Sequence, residues 1–163
     1  MHHSKPAADP EELKQKFWRA LADSPFLFLQ QSGQSDTAVP MSPQLDKDAE
    51  SAIWFFTHKT SKFAAPGPVT ATFAGKGHDM FARFDGTLAV ETSQARFDQF
   101  WSNFVEGWYD QGKDDPDLLF VRMDLSTAEI WDGDIGLLNT AKMALGVYVE
   151  DEAEKRHVKE TAL

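Results

Sequence analysis

The sequence predicts a mainly β protein: a small barrel of six to seven antiparallel strands with peripheral helices. Three observations carry this. Short runs rich in β-branched and aromatic residues recur between turn signals, at 26–30, at the head of 52–63, and at 69–73, 80–91 and 118–123. Most connections between them are short, and strands joined by short turns pair antiparallel. Bend signals recur along the runs, at Pro40, Pro43 and Asp85-Gly86, and a sheet bent that often tends to close on itself.

In chain order, residues 1–8 read as disordered, and the His2-His3 pair is left out of the fold reasoning. Asp9, Pro10 and Glu12 start a helix as cap, first-turn proline and acid. Leu13, Phe17, Ala20 and Leu21 give it one apolar face, and Ser24-Pro25 stops it. The run 26–30 is a strand, and 31–36 a turn centred on Gly33. The extended segment 37–45 carries two prolines, which places it at a sheet edge. The stretch 52–63 is the third strand, running into a polar, basic turn. The segment 63–68, FAAPGP, holds at most a turn of helix. Val69, Ala71 and Phe73 alternate with threonines in a half-buried strand. A long strand over 80–91 is expected to bulge at Asp85-Gly86.

Thr92 is expected to cap one helix bearing Phe97, Phe100, Trp101, Phe104, Val105 and Trp108 at helical spacing. The acidic stretch 110–117 lacks the alternating ligands of a calcium loop and reads as a solvated turn. Two strands, 118–123 and 128–131, and a helix over about 136–146 complete a domain spanning 9–149. A charged tail, 150–163, follows.

Composition bounds the function. A chain of 163 residues is one domain's worth. Thirteen Phe and five Trp against two Tyr supply core, and also the aromatic walls that flat cofactors use. A net charge of −10 argues against nucleic-acid binding. No cysteine is present, which excludes disulfides and thiolate chemistry. With no apolar run long enough to span a bilayer and no signal-peptide core, a cytoplasmic location is expected.

The stretch 52–63, AIWFFTHKTSKF, carries the most chemistry. After four β-formers come Thr57, Lys59, Thr60, Ser61 and Lys62, three hydroxyls and two ammonium groups within six residues. A phosphate takes such donors where a strand ends. A strand running into a solvated turn would show the same residues, and so short a motif matches often by chance.

The succession TAVPMSPQ, IWFFTHKTSK, FAGKGHD, WYDQGKDDPDLLFVRMD and AEIWDGD resembles the pyridoxamine 5'-phosphate oxidase-like, FMN-binding split-barrel proteins, in their general stress protein 26-like branch. The resemblance runs from about residue 10 to 146. It implies a split β-barrel and a homodimer holding FMN in clefts at the subunit interface. Thr57, Ser61 and Lys62 match the positions that hold the flavin phosphate, with Lys59 in the same turn. Val39, Pro40 and Met41 match the strand along the isoalloxazine ring, and Gln44 a polar position at the ring edge. Phe56 precedes the phosphate turn; Trp108 and Trp131 match aromatic positions close to the cleft. His58 and His78 are candidate proton donors, though a strand-end or surface histidine is the commoner case.

Two departures stand out. Val39 occupies a position that is often basic in the family, and the segment after Lys62 is short. The lost cation is expected to cost FMN binding about 1.5–3 kcal/mol, the range for charge-assisted bonds. The function that the resemblance implies is an FMN-dependent oxidoreductase linked to a stress response. The alternative is a non-catalytic split-barrel dimer that has lost or changed its cofactor. A metal hydrolase built on residues 110–117 lacks histidine partners at ligand spacing.

Overall fold

A computed structural model describes residues 9–49, 51–132, 140–144 and 161–162. The order is α1 (Pro10–Asp23), β1 (Leu27–Gln31), β2 (Val39–Met41), β3 (Ala52–His58), β4 (Gly67–Ala74), β5 (Met80–Val90), α2 (Gln94–Phe100), α3 (Asn103–Glu106), β6 (Leu118–Asp132), β7 (Thr140–Ala144) and β8 (Thr161–Ala162). The strands form one sheet in the order β2-β1-β4-β5-β6-β3, with β7 and β8 also pairing β6. Every pairing is antiparallel.

The two ends of this path, β2 and β3, meet at one point. Gln44 and Trp54 exchange backbone bonds, Gln44 N–H to the Trp54 carbonyl at 2.7 Å and the reverse at 3.0 Å. A single bridge thus closes the curled sheet. Between it and β2, Ser42-Pro43 crosses without ladder bonds, because proline has no donor to give. That gap is the split in the barrel.

Strand β3 is apolar on both faces because both are covered. Ile53 and Phe55 enter the main core with Leu29, Phe73, Phe84, Met123 and Ile130. Ala52 and Trp54 face the other way, into a second cluster with Phe100 and Phe120. The Trp54 indole N–H donates to Glu91 at 2.9 Å, which satisfies its polar atom in that setting. Helix α1 forms as read: Asp9 accepts from the Glu11 N–H at 3.0 Å, Pro10 opens the first turn, and Leu13, Phe17 and Leu21 are buried.

Several expectations are corrected. The strands expected at 118–123 and 128–131 are one, β6, fifteen residues long. The polar run 124–127 suggested a break, but Leu125 is buried while Asp124 and Ser126 face solvent, an ordinary half-covered alternation. The register between β5 and β6 shifts there: between the pairs Phe84–Ala128 and Gly86–Leu125 stand one residue of β5, Asp85, and two of β6, Ser126 and Thr127, so an irregularity is present at Asp85-Gly86 and its extra residue lies on β6. Asp85, opposite the bulge, accepts hydrogen bonds from the Thr70 hydroxyl at 2.6 Å and the Thr127 hydroxyl at 3.3 Å.

The single aromatic helix is two. Ser93, not Thr92, caps α2, and Trp101 is extended at its end. The Ser102 hydroxyl then accepts from the Val105 N–H at 3.3 Å and starts α3. A serine in a helical pattern offers the backbone this competing cap, and here it wins. The helix expected over 136–146 is contradicted at 140–144, where β7 pairs β6 from Thr127 to Trp131. The rest of that stretch lies outside the described residues, as do the N-terminal segment 1–8 and most of the tail. Within the tail, β8 pairs Thr127 and Ala128. The segment 37–45 is strand only at β2, an edge as expected, and Ser35–Thr37 is a turn of 3-10 helix.

Candidate functional site

The split opens into a cleft of about 430 Å³, lined by Pro40, Met41, Ser42 and Gln44 on one side and by Phe56, Thr57 and His58 on the other. Phe26 and, from the α3 end, Val105, Trp108 and Tyr109 complete the wall. The volume lies within the roughly 300–1,000 Å³ of small-molecule sites. Each wall has a local cause. The crossing at Ser42-Pro43 is anchored where the Ser42 hydroxyl donates to the Pro25 carbonyl at 3.0 Å. Gln44 spends both backbone groups on the bridge to Trp54, so its side-chain amide is what it offers the cleft. Phe56 is fixed from behind by Phe97, Trp101 and Phe120, with centroids 5.7, 5.6 and 4.6 Å away.

At the end of β3 three side chains interlock. The Tyr109 hydroxyl donates to the Thr57 carbonyl at 2.8 Å. The Tyr109 ring packs against His58 at 4.8 Å, and His58 Nδ1 lies 2.8 Å from an Asp117 carboxylate oxygen. Asp117 is itself held at both ends of its backbone: its N–H donates to Asp115 at 2.9 Å, and its carbonyl accepts from the Lys59 N–H at 2.7 Å. Burial, then the charges of Asp117 and Asp115, push the Tyr109 phenol above its ordinary range.

The sign of that shift sets a pH dependence. The folded protein keeps the Tyr109 proton where the unfolded chain has begun to release it. The stabilisation is therefore complete below the unfolded value of 10.0 and is lost as pH rises from there towards the folded value. Denaturant unfolding on either side of pH ~10 is expected to show the loss in the native sequence and a shallower dependence in Tyr109→Phe.

Of the residues singled out from the sequence, Pro40, Met41, Gln44, Phe56, Thr57, His58 and Trp108 line the cleft. The others do not. Val39 is half-buried against the main core. The Ser61 hydroxyl accepts from the Phe63 N–H at 3.0 Å and so caps the turn Lys62–Ala64. Lys62 extends its ammonium to the Thr37 carbonyl at 3.2 Å, beside the start of β2, and Lys59 is exposed. Trp131 sits on the distal half of β6, opposite Phe81, with the Arg83 guanidinium 5.9 Å over its ring. His78 is also away from the cleft, stacked on Phe81.

Phe26, Ser42, Val105 and Tyr109 were missed as site residues. No local pattern marks them, because their convergence depends on the bridge at Gln44 and the break at Ser102.

An isoalloxazine-sized ring fits what is present: aromatic and aliphatic walls, with Gln44, Ser42, Thr57 and His58 as the polar groups. The turn 57–62 adds hydroxyls and two exposed lysines at the end of β3. Among the described residues no group of acids and histidines is placed to hold a metal, and no helix is long and apolar enough to cross a membrane.

Comparison with known proteins agrees with the fold. The family model described as "Pyridoxamine 5'-phosphate oxidase like" matches residues 12–153. A general stress FMN/FAD binding protein from Xanthomonas citri is 35% identical, with a TM-score of 0.67 over 85% of this chain and 97% of that one. A protein described as belonging to a general stress family, from Xanthomonas campestris pv. campestris, is 40% identical, with a TM-score of 0.69 over 77% of this chain and 90% of that one. General Stress Protein 26 from Bacillus anthracis str. Sterne, at 17% identity, shares the fold with a TM-score of 0.59 over 73% and 93% of the two chains. No curated protein matches the chain.

Proposed function

The chain belongs to the pyridoxamine 5'-phosphate oxidase-like family, and we propose that it is a cytoplasmic homodimer that binds FMN in the cleft between β2 and β3 and serves as a flavin-dependent oxidoreductase. The observation that carries this reading is the gap itself, which brings Pro40, Met41, Gln44, Phe56 and Thr57 around one cavity. Pro40 and Met41 would lie along the ring, with Gln44 at its edge. Thr57, Ser61 and Lys62 would hold the phosphate, and Lys59 would add charge. When bound, the flavin supplies the two-electron chemistry; the chain supplies binding, orientation and a partly dry wall.

Support for the dimer comes from apolar surface. Trp108 is 67% exposed, Phe26 61% and Phe28 52%. Trp108 and Phe26 flank the cleft, and Phe28 stands on β1 opposite Pro40. Large rings grouped in this way mark an interaction surface.

The test is the visible spectrum of the purified protein, followed by equilibrium titration with FMN, riboflavin and FAD. FMN is expected to bind at micromolar concentration or below, and riboflavin more weakly because it lacks the phosphate. No binding at tens of micromolar FMN overturns the reading.

One observation favours a second reading, a dimer whose cofactor has been lost or changed: Val39 stands where a cation is expected and packs into the core. Lys62 places the compensating charge nearby, at the Thr37 carbonyl. Val39→Arg decides between them. A sharp gain in FMN affinity from a negligible baseline means the native site has degenerated. An affinity already sub-micromolar in the native sequence removes the second reading.

A further inference from the structure

We propose that His58, positioned by Asp117, is the proton-transfer residue of the cleft, acting on a planar carbonyl compound that binds there. The inference rests on the flavin reading for the source of electrons; its geometry stands on the side chains alone.

His58 lines the cleft, and its Nδ1 is 2.8 Å from Asp117 Oδ2. A carboxylate only accepts, so Nδ1 carries the hydrogen. That fixes the tautomer and leaves Nε2 as the nitrogen that exchanges a proton, the arrangement in which a third group orients an acid–base imidazole. Asp117 is fit to orient because its own backbone is tied at both ends, to Asp115 and to Lys59. Tyr109 packs on the imidazole and keeps its proton on the Thr57 carbonyl, so it does not compete as a base.

The ionisable groups around His58 are few. Asp117 and Asp115 face it from the 110–117 loop, Tyr109 from beyond α3, and Lys59 follows it on its own turn. The opposite wall, Pro40, Met41, Ser42 and Gln44, carries no titratable group. Among the cleft-lining side chains His58 thus carries the imidazole, the group that can both give and take a proton, while Tyr109 keeps its own.

The remaining walls are flat and apolar, which suits a ring bearing a carbonyl oxygen. In its reduction, a hydride from the reduced flavin brings two electrons and one proton. The second proton passes from Nε2 of the doubly protonated His58 to the carbonyl oxygen, which becomes a hydroxyl, and leaves the neutral ring as its Nδ1–H tautomer. The N–H bond pair stays on Nε2, Nδ1–H stays on Asp117, and solvent returns the proton.

The experiment uses the full chain, labelled with nitrogen-15, with and without FMN, and a para-quinone as the substrate probe. Imidazole spectra of the native protein are expected to show neutral His58 as the Nδ1–H tautomer, to lose that preference in Asp117→Asn, and to show Nε2 moving when FMN is added. In the loaded protein, His58→Gln is expected to lower quinone turnover by about a hundredfold, the lower range for acid–base catalysis, with little change in KM and with a flatter pH profile of turnover than the native protein. Asp117→Asn should lower turnover less. FMN binding is followed separately, by quenching of flavin fluorescence. A protein that ignores FMN overturns the flavin reading and this inference with it. A protein that binds FMN while the His58 resonances ignore both FMN and Asp117→Asn, or in which His58→Gln turns over quinone normally, overturns this inference alone.

Discussion

Phe17→Ala is expected to lower the unfolding free energy by about 3–5 kcal/mol, the range for removing a fully buried phenyl ring. Phe17 is 0% exposed and meets Phe73 and Phe84 edge-on, with centroids 6.2 and 5.3 Å away. It is the anchor by which α1 holds β4 and β5, because no other aromatic of the helix is fully buried. The cavity left behind cannot collapse easily: Leu21, Leu29 and Met80 around the core are also fully buried. In a chain of this size each kcal/mol moves Tm by roughly 2–4 °C, so thermal unfolding reads the effect directly. A loss under about 1 kcal/mol would mean that α1 is not part of the cooperative core.

Gly86→Ala is expected to destabilise by roughly 3 kcal/mol, at the upper end for overpacking, and Gly86→Val by more. A Cβ built on Gly86 would stand 2.5 Å from the Asp124 carbonyl oxygen and 2.9 Å from the Met123 side chain. Methionine can yield, but a backbone carbonyl in a sheet cannot yield without opening the β5–β6 ladder. This close approach stands beside the bulge, where β6 carries its extra residue opposite Asp85. The curl that brings β3 round to Gln44 depends on it, so a surviving Gly86→Ala protein should also bind FMN less well. Urea unfolding and FMN titration of the same variant check both statements. Native stability in Gly86→Ala would show that the ladder tolerates a wider bulge.

Much of the fold was legible because its signals are local. Asp9-Pro10 starts α1 by chemistry within one turn, and Asp85-Gly86 marks the bulge by conformational preference. Pro40 demotes its segment to an edge because it lacks a donor. The misread elements turned on tertiary competition. The polar run 124–127 looks like a turn, yet it takes the extra residue of a bulge without breaking the strand, because β5 pairs it on both sides. Ser102 looks like one polar residue in a helical stripe until its hydroxyl takes the Val105 N–H and splits the helix. Residues 140–144 looked helical and are paired to β6.

The site was legible in proportion to how much of it lies on one strand end. Phe56 and Thr57 belong to a contiguous motif, and Pro40, Met41 and Gln44 to a second one beside it. Tyr109 and Asp117 reach His58 across about fifty positions of sequence, and only the paired strands β3 and β6 bring them together. Ser61 and Lys62 show the reverse case. Their residue types pointed to a phosphate, yet Ser61 caps a turn and Lys62 holds the Thr37 carbonyl.

The most direct measurement is a crystal structure of the protein grown with FMN. The account predicts the flavin ring in the split, between the Pro40-Met41-Ser42 crossing and the wall of Phe56 and Tyr109, with its phosphate at the turn that follows β3. Density for FMN at any other surface, or a cleft left without flavin while the cofactor is present at saturating concentration, would contradict it.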